Sequence, residues 1–314
     1  MRTILKMGDG ALRALVVLVV VLVAALALAA CSTGGSSRPS AAGRIRVVAA
    51  ENFWGSIVSQ VAGSAADVTS VISNPATDPH DYEPTAADAR AVAEATLVIE
   101  NGIGYDPWMR QLVDAGGSAR AEVLDVGKLL GIPAGGNPHQ WYSRAAVGRV
   151  ITGVAADLEA ADPKHRSVYE RNERDLVTTG FAEYDALIAH IRATYSGIPI
   201  GASESIVAPL ADTLGLDLVT PGKFLDAVAE GNDPAASDKA TADRQVQQHQ
   251  IKVFVFNRQN STPDVQRLVD EARGVHMPVA TVTETLTPAN ATFEEWQVRE
   301  LRALSSALAR ATGR

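Results

Sequence analysis

One stretch, Pro163 to Tyr195, limits the possible folds more than any other, because it runs without a break signal and repeats apolar residues at helical spacing: Val177, Phe181, Tyr184, Ile188, Ile191 and Tyr195. The pattern predicts one long helix, with Pro163 suited to its first turn. At about 1.5 Å per residue it would reach roughly 50 Å. Gly180 in its middle should weaken it by about 1 kcal/mol relative to alanine. On either side of it, short β-branched runs alternate with longer helical ones, the pattern of an α/β protein with parallel sheets.

Before the long helix, strands are predicted at Arg46 to Ala50, Val68 to Ser73, Thr96 to Glu100 and Glu122 to Val126. Helices fall at Trp54 to Ala62, Thr85 to Ala95, Pro107 to Asp114 and Ser143 to Ala160. Thr85, with Asp88 three residues on, fits a weaker form of the capping box. After it, strands are predicted at Pro199 to Ala202, Asp217 to Thr220, Lys252 to Phe256 and Val279 to Val282, with helices at Ile206 to Leu214, Ala235 to His249, Pro263 to Arg273 and Phe293 to Ala311. The expected fold is therefore two α/β lobes, each a four-stranded, mostly parallel sheet flanked by helices, joined by one long helix. The 314 residues suffice for lobes with separate cores. The boundaries are 44–162 for the first lobe, 163–195 for the connecting helix and 196–314 for the second lobe.

The N-terminal segment 1–30 reads as an export signal: Arg2, Lys6 and Arg13 precede an apolar run from Ala14 that ends in Leu28-Ala29-Ala30. The next residue, Cys31, is the chain's single cysteine, so neither an intrachain disulfide nor a thiolate metal cluster can form. The Leu-Ala-Ala-Cys ending resembles a bacterial lipoprotein signal, in which the cysteine is lipidated and becomes the new N-terminus. The competing reading, an uncleaved membrane span, leaves the remainder outside as well. Residues 31–43 are rich in Ser, Gly and Ala and read as a flexible tether. The expected location is the outer face of the cytoplasmic membrane, lipid-anchored. The formal charge is −8 and the segment 1–30 is net positive, so the exported part is more acidic still. Such a chain lacks the basic footprint of a nucleic-acid binder, and its field attracts cations.

Ligands of open parallel sheets bind beyond the carboxyl ends of the strands, and four candidate metal donors fall there. His80 lies in the proline-bracketed loop Asp78-Pro79-His80-Asp81-Tyr82-Glu83-Pro84 after the second strand, and His139 lies in Asn137-Pro138-His139-Gln140-Trp141 after the fourth. Glu204 follows the first strand of the second lobe, and Glu284 closes its fourth. Two imidazoles and two carboxylates suit a divalent first-row ion. Carboxylates can chelate through both oxygens, which tilts the choice towards Mn²⁺ or Fe²⁺, though Zn²⁺ accepts the same donors.

Each side chain also has a plainer role open to it. A histidine beside prolines is commonly a turn residue, Glu204 stands where negative charge favours the start of the following helix, and Glu284 fits a solvated loop acid before Pro288. Glu51, also at a first-strand end, is a rival donor. Asp78, Asp81, Glu83 and Asn137 are placed to orient the histidines instead. His165, His190, His249 and His276 read as structural or exposed, and Trp54, Trp108, Trp141 and Trp296 as packing residues. Asn260-Ser261-Thr262 reads as a helix N-terminus.

Taken together, these motifs, with Asn101-Gly102-Ile103-Gly104-Tyr105-Asp106-Pro107-Trp108, Ser203-Glu204 and Val282-Thr283-Glu284-Thr285, resemble the cluster A-I (cluster 9) metal-binding lipoproteins of zinc and manganese ABC transporters, the zinc-uptake component A-like family. The resemblance covers nearly all of the exported chain. It implies a solute-binding protein, not an enzyme, that holds one divalent ion (Mn²⁺, Zn²⁺ or Fe²⁺) between its lobes through residues matching His80, His139, Glu204 and Glu284, and passes it to a membrane permease. In that family the position matching Glu204 is often histidine in zinc-specific members and glutamate in manganese or iron ones, and the His-rich acidic loop that many zinc members carry is missing here. A monomer is expected. The alternatives are a membrane-anchored metal-dependent hydrolase, for which no Gly-x-Ser-x-Gly, His-Glu-x-x-His or phosphate-loop motif is found, and a surface adhesin that binds metal incidentally.

Overall fold

The computed structural model describes residues 43–314 except 76, 78–81 and 117–120. The signal segment 1–30, Cys31, all of the tether but Gly43, and His80 with Asp78, Pro79 and Asp81 lie outside the described residues. Among those described, no helix is long and apolar enough to cross a membrane.

The first half builds β1 (Ile45–Glu51), α1 (Asn52–Ala62), β2 (Ala66–Ile72), α2 (Ala86–Ala93), β3 (Leu97–Glu100), α3 (Pro107–Ala115), β4 (Glu122–Asp125), α4 (Val126–Leu130) and α5 (Arg144–Ala161). The four strands form one sheet in the order β2-β1-β3-β4, every pair parallel. Residues of the two central strands alternate between faces, as a pleated strand requires. Val47, Ala49, Leu97 and Ile99 face one apolar cluster, while Val48, Ala50 and Val98 face another with Trp108 and Met109. Both faces are covered, so these strands read as nearly continuous apolar runs.

The second half repeats the plan: β5 (Pro199–Ala202), α8 (Val207–Leu214), β6 (Asp217–Leu218), α9 (Gly222–Ala229), α10 (Ala236–Gln247), β7 (Val253–Asn257), α11 (Pro263–Gly274), β8 (Val279–Val282) and α12 (Phe293–Thr312). The sheet order is β6-β5-β7-β8, again all parallel. The short helices α4 and α9 are not predicted by the sequence pattern; α4 follows β4 without a loop, and α9 buries Phe224, Leu225, Val228 and Ala229.

The connecting segment departs from a single straight helix. A 3₁₀ turn at Pro163–His165 leads into α6 (Arg166–Asp175), a π turn at Leu176–Gly180 follows, and α7 (Ala182–Tyr195) completes it. The break coincides with the Gly180 region. In the π turn the Phe181 amide donates to the Leu176 carbonyl, five residues back, at 2.9 Å. That shift of phase buries Leu176, Phe181 and Tyr184 together and leaves Val177, expected on the apolar face, 38% exposed. The segment is fastened to both halves. Asn172 donates to the Val61 carbonyl at 3.0 Å, and the Phe181 ring stacks on Phe293 at 5.8 Å.

The expectation of separate lobe cores fails. Among the described residues, one cluster runs from Val47, Phe53 and Trp141 through Tyr169, Phe181 and Ile191 to Phe254, Phe293 and Leu304, and the opposite face of the first sheet carries a second, smaller one. The reason is aromatic packing across the two halves: Tyr142 lies 5.7 Å from Trp296, and Trp141 stands between Tyr142 and Phe53.

Candidate metal centre

Three of the candidate donors, His139, Glu204 and Glu284, are among the described residues. Beyond β2, Tyr82 is the first described residue after His80. Its ring packs at 5.0 Å on Trp108, and its hydroxyl donates to Asp88 at 2.9 Å. Asp88 also accepts the Thr85 backbone N–H at 2.7 Å and completes the predicted capping box of α2. The stretch from Tyr82 to Thr85 is therefore pinned to the start of α2.

His139 is fully buried. Asn137 Oδ1 accepts both its backbone N–H, at 2.9 Å, and its ring Nδ1, at 3.0 Å. The Asn137 amide nitrogen donates to the Ser205 carbonyl at 2.7 Å, which fixes its oxygen as the acceptor and so makes Nδ1 the protonated nitrogen. The tautomer leaves Nε2 with the lone pair that coordinates metal. The bond to Ser205 also ties the histidine loop of the first half to the residue beside Glu204 in the second. Asn101 adds a bond to the Pro138 carbonyl at 3.1 Å and is itself held by Trp54 Nε1 at 2.9 Å.

Glu204 and Glu284, two residues past β5 and two past β8, are fully buried too. The Asn257 side-chain amide donates to Oε1 of Glu204 and, at 2.9 Å, to Oε1 of Glu284, so one nitrogen joins the two carboxylates. The remaining oxygens take Asn260 Nδ2 on Glu204 and the Tyr105 hydroxyl on Glu284, each at 2.7 Å. The Tyr105 ring lies 6.0 Å from the His139 ring, and Trp141 packs against both. Asn257, Asn260 and Tyr105 are uncharged donors that orient the carboxyl groups.

The surrounding field is acidic. Glu51 at the end of β1 is fully buried, and among the described residues neither of its carboxyl oxygens has a hydrogen-bond partner. Burial above all, then the charges of Asp106, Glu100 and Glu284, hold its carboxyl well above the usual range. Burial pushes Asp106 up to about 7 against the opposing backbone N–H groups of Asn101 and Gly102. Burial and the nearby charges of Glu284 and Glu51 raise Tyr105, so its hydroxyl stays a donor. A cation arriving beside these carboxyl groups would favour their ionised forms.

Of the four predicted donors, the structure links Glu204 to Glu284 through Asn257 and sets His139 beside them across Tyr105, while His80 lies outside the described residues. Among the described residues no three His, Cys, Asp or Glu side chains are grouped closely enough to hold a metal ion. The donor types still suit a divalent ion, and the fixed His139 tautomer points the same way.

Asn257, Gln259, Asn260 and Tyr105 acquire roles that the sequence reading did not give them. The signal available was their position: Asn257-Arg258-Gln259-Asn260 is a polar, amide-rich run placed directly on the carboxyl end of the apolar strand β7. Asn260 belongs to the site, and the cap of α11 is Thr262, which accepts from the Val265 amide. The other predictions for histidine and tryptophan hold. His190, His249 and His276 are exposed, His165 bonds Asp162 at 2.6 Å, and all four tryptophans are buried.

Residues 47–307 match the family model described as zinc-uptake complex component A, periplasmic. The metal ABC transporter substrate-binding lipoprotein ScbA of Streptococcus cristatus is 29% identical over 203 residues, covering 60% of this chain and 64% of that protein. The manganese ABC transporter substrate-binding lipoprotein PsaA of Streptococcus pneumoniae serotype 4 is 29% identical over 171 residues, covering 50% and 55%. The chain spans between half and two thirds of the length of these curated relatives. Among solved structures, a manganese-bound periplasmic metal-binding protein from Candidatus Liberibacter asiaticus superposes with a TM-score of 0.71 at 21% identity, over 84% of this chain and all of that one. FpvC from Pseudomonas aeruginosa with Mn²⁺ gives 0.69 at 21% identity, over 85% and 99%. At that identity the likeness establishes the fold.

Proposed function

Because this chain belongs to the zinc-uptake complex component A family, we propose that it is an extracytoplasmic solute-binding lipoprotein. It captures one divalent ion, Mn²⁺, Zn²⁺ or Fe²⁺, through His80, His139, Glu204 and Glu284, and hands it to the permease of an ABC importer. The observation that carries this reading is the pair Glu204 and Glu284, buried and joined by one amide, with Tyr105 bonded to Glu284 and packed against His139. The names of the metal-binding relatives support it, as do the positions of Glu204 and Glu284, two residues past the parallel strands β5 and β8.

In this reading His80 and His139 come from the first lobe (44–162), the carboxylates come from the second (196–314), and segment 163–195 holds the two at a nearly fixed spacing. Neutral imidazole nitrogens and anionic oxygens suit Mn²⁺ or Fe²⁺ at least as well as Zn²⁺. The protein acts as a binder and not an enzyme, since four protein donors fill the positions that a catalytic site leaves for water. Lipid attached at Cys31, after removal of residues 1–30, keeps it at the outer face of the cytoplasmic membrane, and it works as a monomer.

Titration of metal-free protein with Mn²⁺ and with Zn²⁺ tests the assignment. One equivalent should bind tightly to the wild type and not to His80→Ala or His139→Ala, with circular dichroism unchanged in both. Unchanged stoichiometry in the two variants would remove these histidines from the site.

A further inference from the structure

We propose that Asn257 is the positioning residue of this site: its side-chain amide fixes the separation and orientation of Glu204 and Glu284, and through them the affinity for the ion. The inference rests on the reading above that the two glutamates are ligands.

The strand order makes the placement specific. β7 lies between β5 and β8 in the sheet, with Val255 paired to Ala202 on one side and Asn257 paired to Val282 on the other. Glu204 leaves the end of β5 and Glu284 the end of β8, so the last residue of the middle strand is the one flanked by both. Asn257 occupies that position and is fully buried.

Every polar atom of its side chain is committed. The nitrogen carries two hydrogens and donates to Oε1 of Glu204 and Oε1 of Glu284. The oxygen accepts the Gln259 backbone N–H at 3.0 Å, and the backbone N–H of Asn257 donates to Ser203 Oγ at 2.9 Å. Gln259, held in that turn, accepts the backbone N–H of Glu284 at 2.7 Å and of Thr285 at 3.0 Å. One residue thus governs the side chains of both glutamates and, through Gln259, the backbone of one.

The residue type is what the chemistry requires. Two buried carboxylates at short range repel. A lysine or arginine between them would hold them together and also satisfy the charge that an incoming cation needs. An aspartate would offer them no donor. An asparagine amide supplies two donors and no net charge, so it orders the carboxyl groups without itself supplying a positive charge. Hydrogen-bond partners of metal-ligating carboxylates typically contribute 10–100-fold to affinity.

The test compares wild type, Asn257→Ala and Asn257→Ser, each stripped of metal, by competition titration with Mn²⁺ and Zn²⁺ against a chromophoric chelator and by electron paramagnetic resonance of the Mn²⁺ complex. Asn257→Ala should bind Mn²⁺ roughly 10–100-fold more weakly, with an altered zero-field splitting because the carboxylates are no longer held in one arrangement. Asn257→Ser, which keeps one donor, should lose less. It carries the test if the alanine variant does not fold. A variant that melts at lower temperature yet binds both ions with wild-type affinity and spectrum would reduce Asn257 to a packing residue and overturn the inference. A wild type with no tight metal binding would instead overturn the ligand assignment on which it rests.

Discussion

Replacing Glu51 by glutamine probes the acidic interior beside the site without touching a proposed ligand. Glu51 is fully buried, neither carboxyl oxygen has a hydrogen-bond partner among the described residues, and burial with the charges of Asp106, Glu100 and Glu284 raises its pKa well above the ordinary value. The folded protein therefore keeps this proton at a pH where the unfolded chain has released it. Below the unfolded value, near 4.3, both states hold the proton and the group does not make stability depend on pH. Above it the folded state binds more protons than the unfolded one, so stability falls as pH rises until the raised folded value is reached. The slope is about 1.4 kcal/mol per pH unit within that window. Glutamine has nearly the same shape and no proton to lose. In urea titrations of metal-free protein from pH 4 to 8, Glu51→Gln should differ from wild type by a constant at the acid end. It should then gain about 1.4 kcal/mol per unit over wild type as pH increases. Asp106 and Glu300, both raised to about 7, titrate in both proteins, so the difference isolates Glu51. A difference that does not change with pH, or one that moves in favour of wild type, would refute the claim that Glu51 is held neutral.

Three other perturbations have defined outcomes. Tyr142→Phe removes a hydroxyl that bonds the Thr283 carbonyl at 2.8 Å and Glu300 at 2.5 Å, leaving buried groups of the second half unsatisfied; about 2 kcal/mol should be lost, seen as a fall of roughly 4–8 °C in Tm by calorimetry, and an unchanged Tm would contradict the role of this link between halves. Metal affinity measured by titration should drop as pH falls, because protons compete with the ion for the imidazole nitrogens; a flat profile between pH 5 and 8 would exclude them. Glu204→His should shift the preference between the two ions towards Zn²⁺ in competition titrations, and no shift would remove the argument from donor type.

The strand plan was legible because burial on both sheet faces writes itself into short apolar runs. Pro199–Ala202 and Val279–Val282 coincide with their predicted bounds, and the others shift by a few residues. The capping box at Thr85 and the orienting bond from Asn137 to His139 are local, so adjacent residues announce them. The phase of the connecting helix was not legible, since the pattern gives a period but not the π turn that resets it at Phe181. The single core across the halves depends on where Trp141, Tyr142 and Trp296 meet in space. The amide that joins Glu204 and Glu284 depends on strand order, which sequence periodicity does not carry. Donor residues stand out by type, and the neutral groups that arrange them become visible only when distant strand ends are neighbours.

The most direct measurement is anomalous diffraction at the manganese edge from crystals of the protein grown with Mn²⁺. The account predicts one strong peak beyond the strand ends of both sheets, bonded to a ring nitrogen of His80, Nε2 of His139 and carboxylate oxygens of Glu204 and Glu284. A peak elsewhere, or an ion in the cleft that leaves either glutamate or either histidine out of bonding reach, would contradict it.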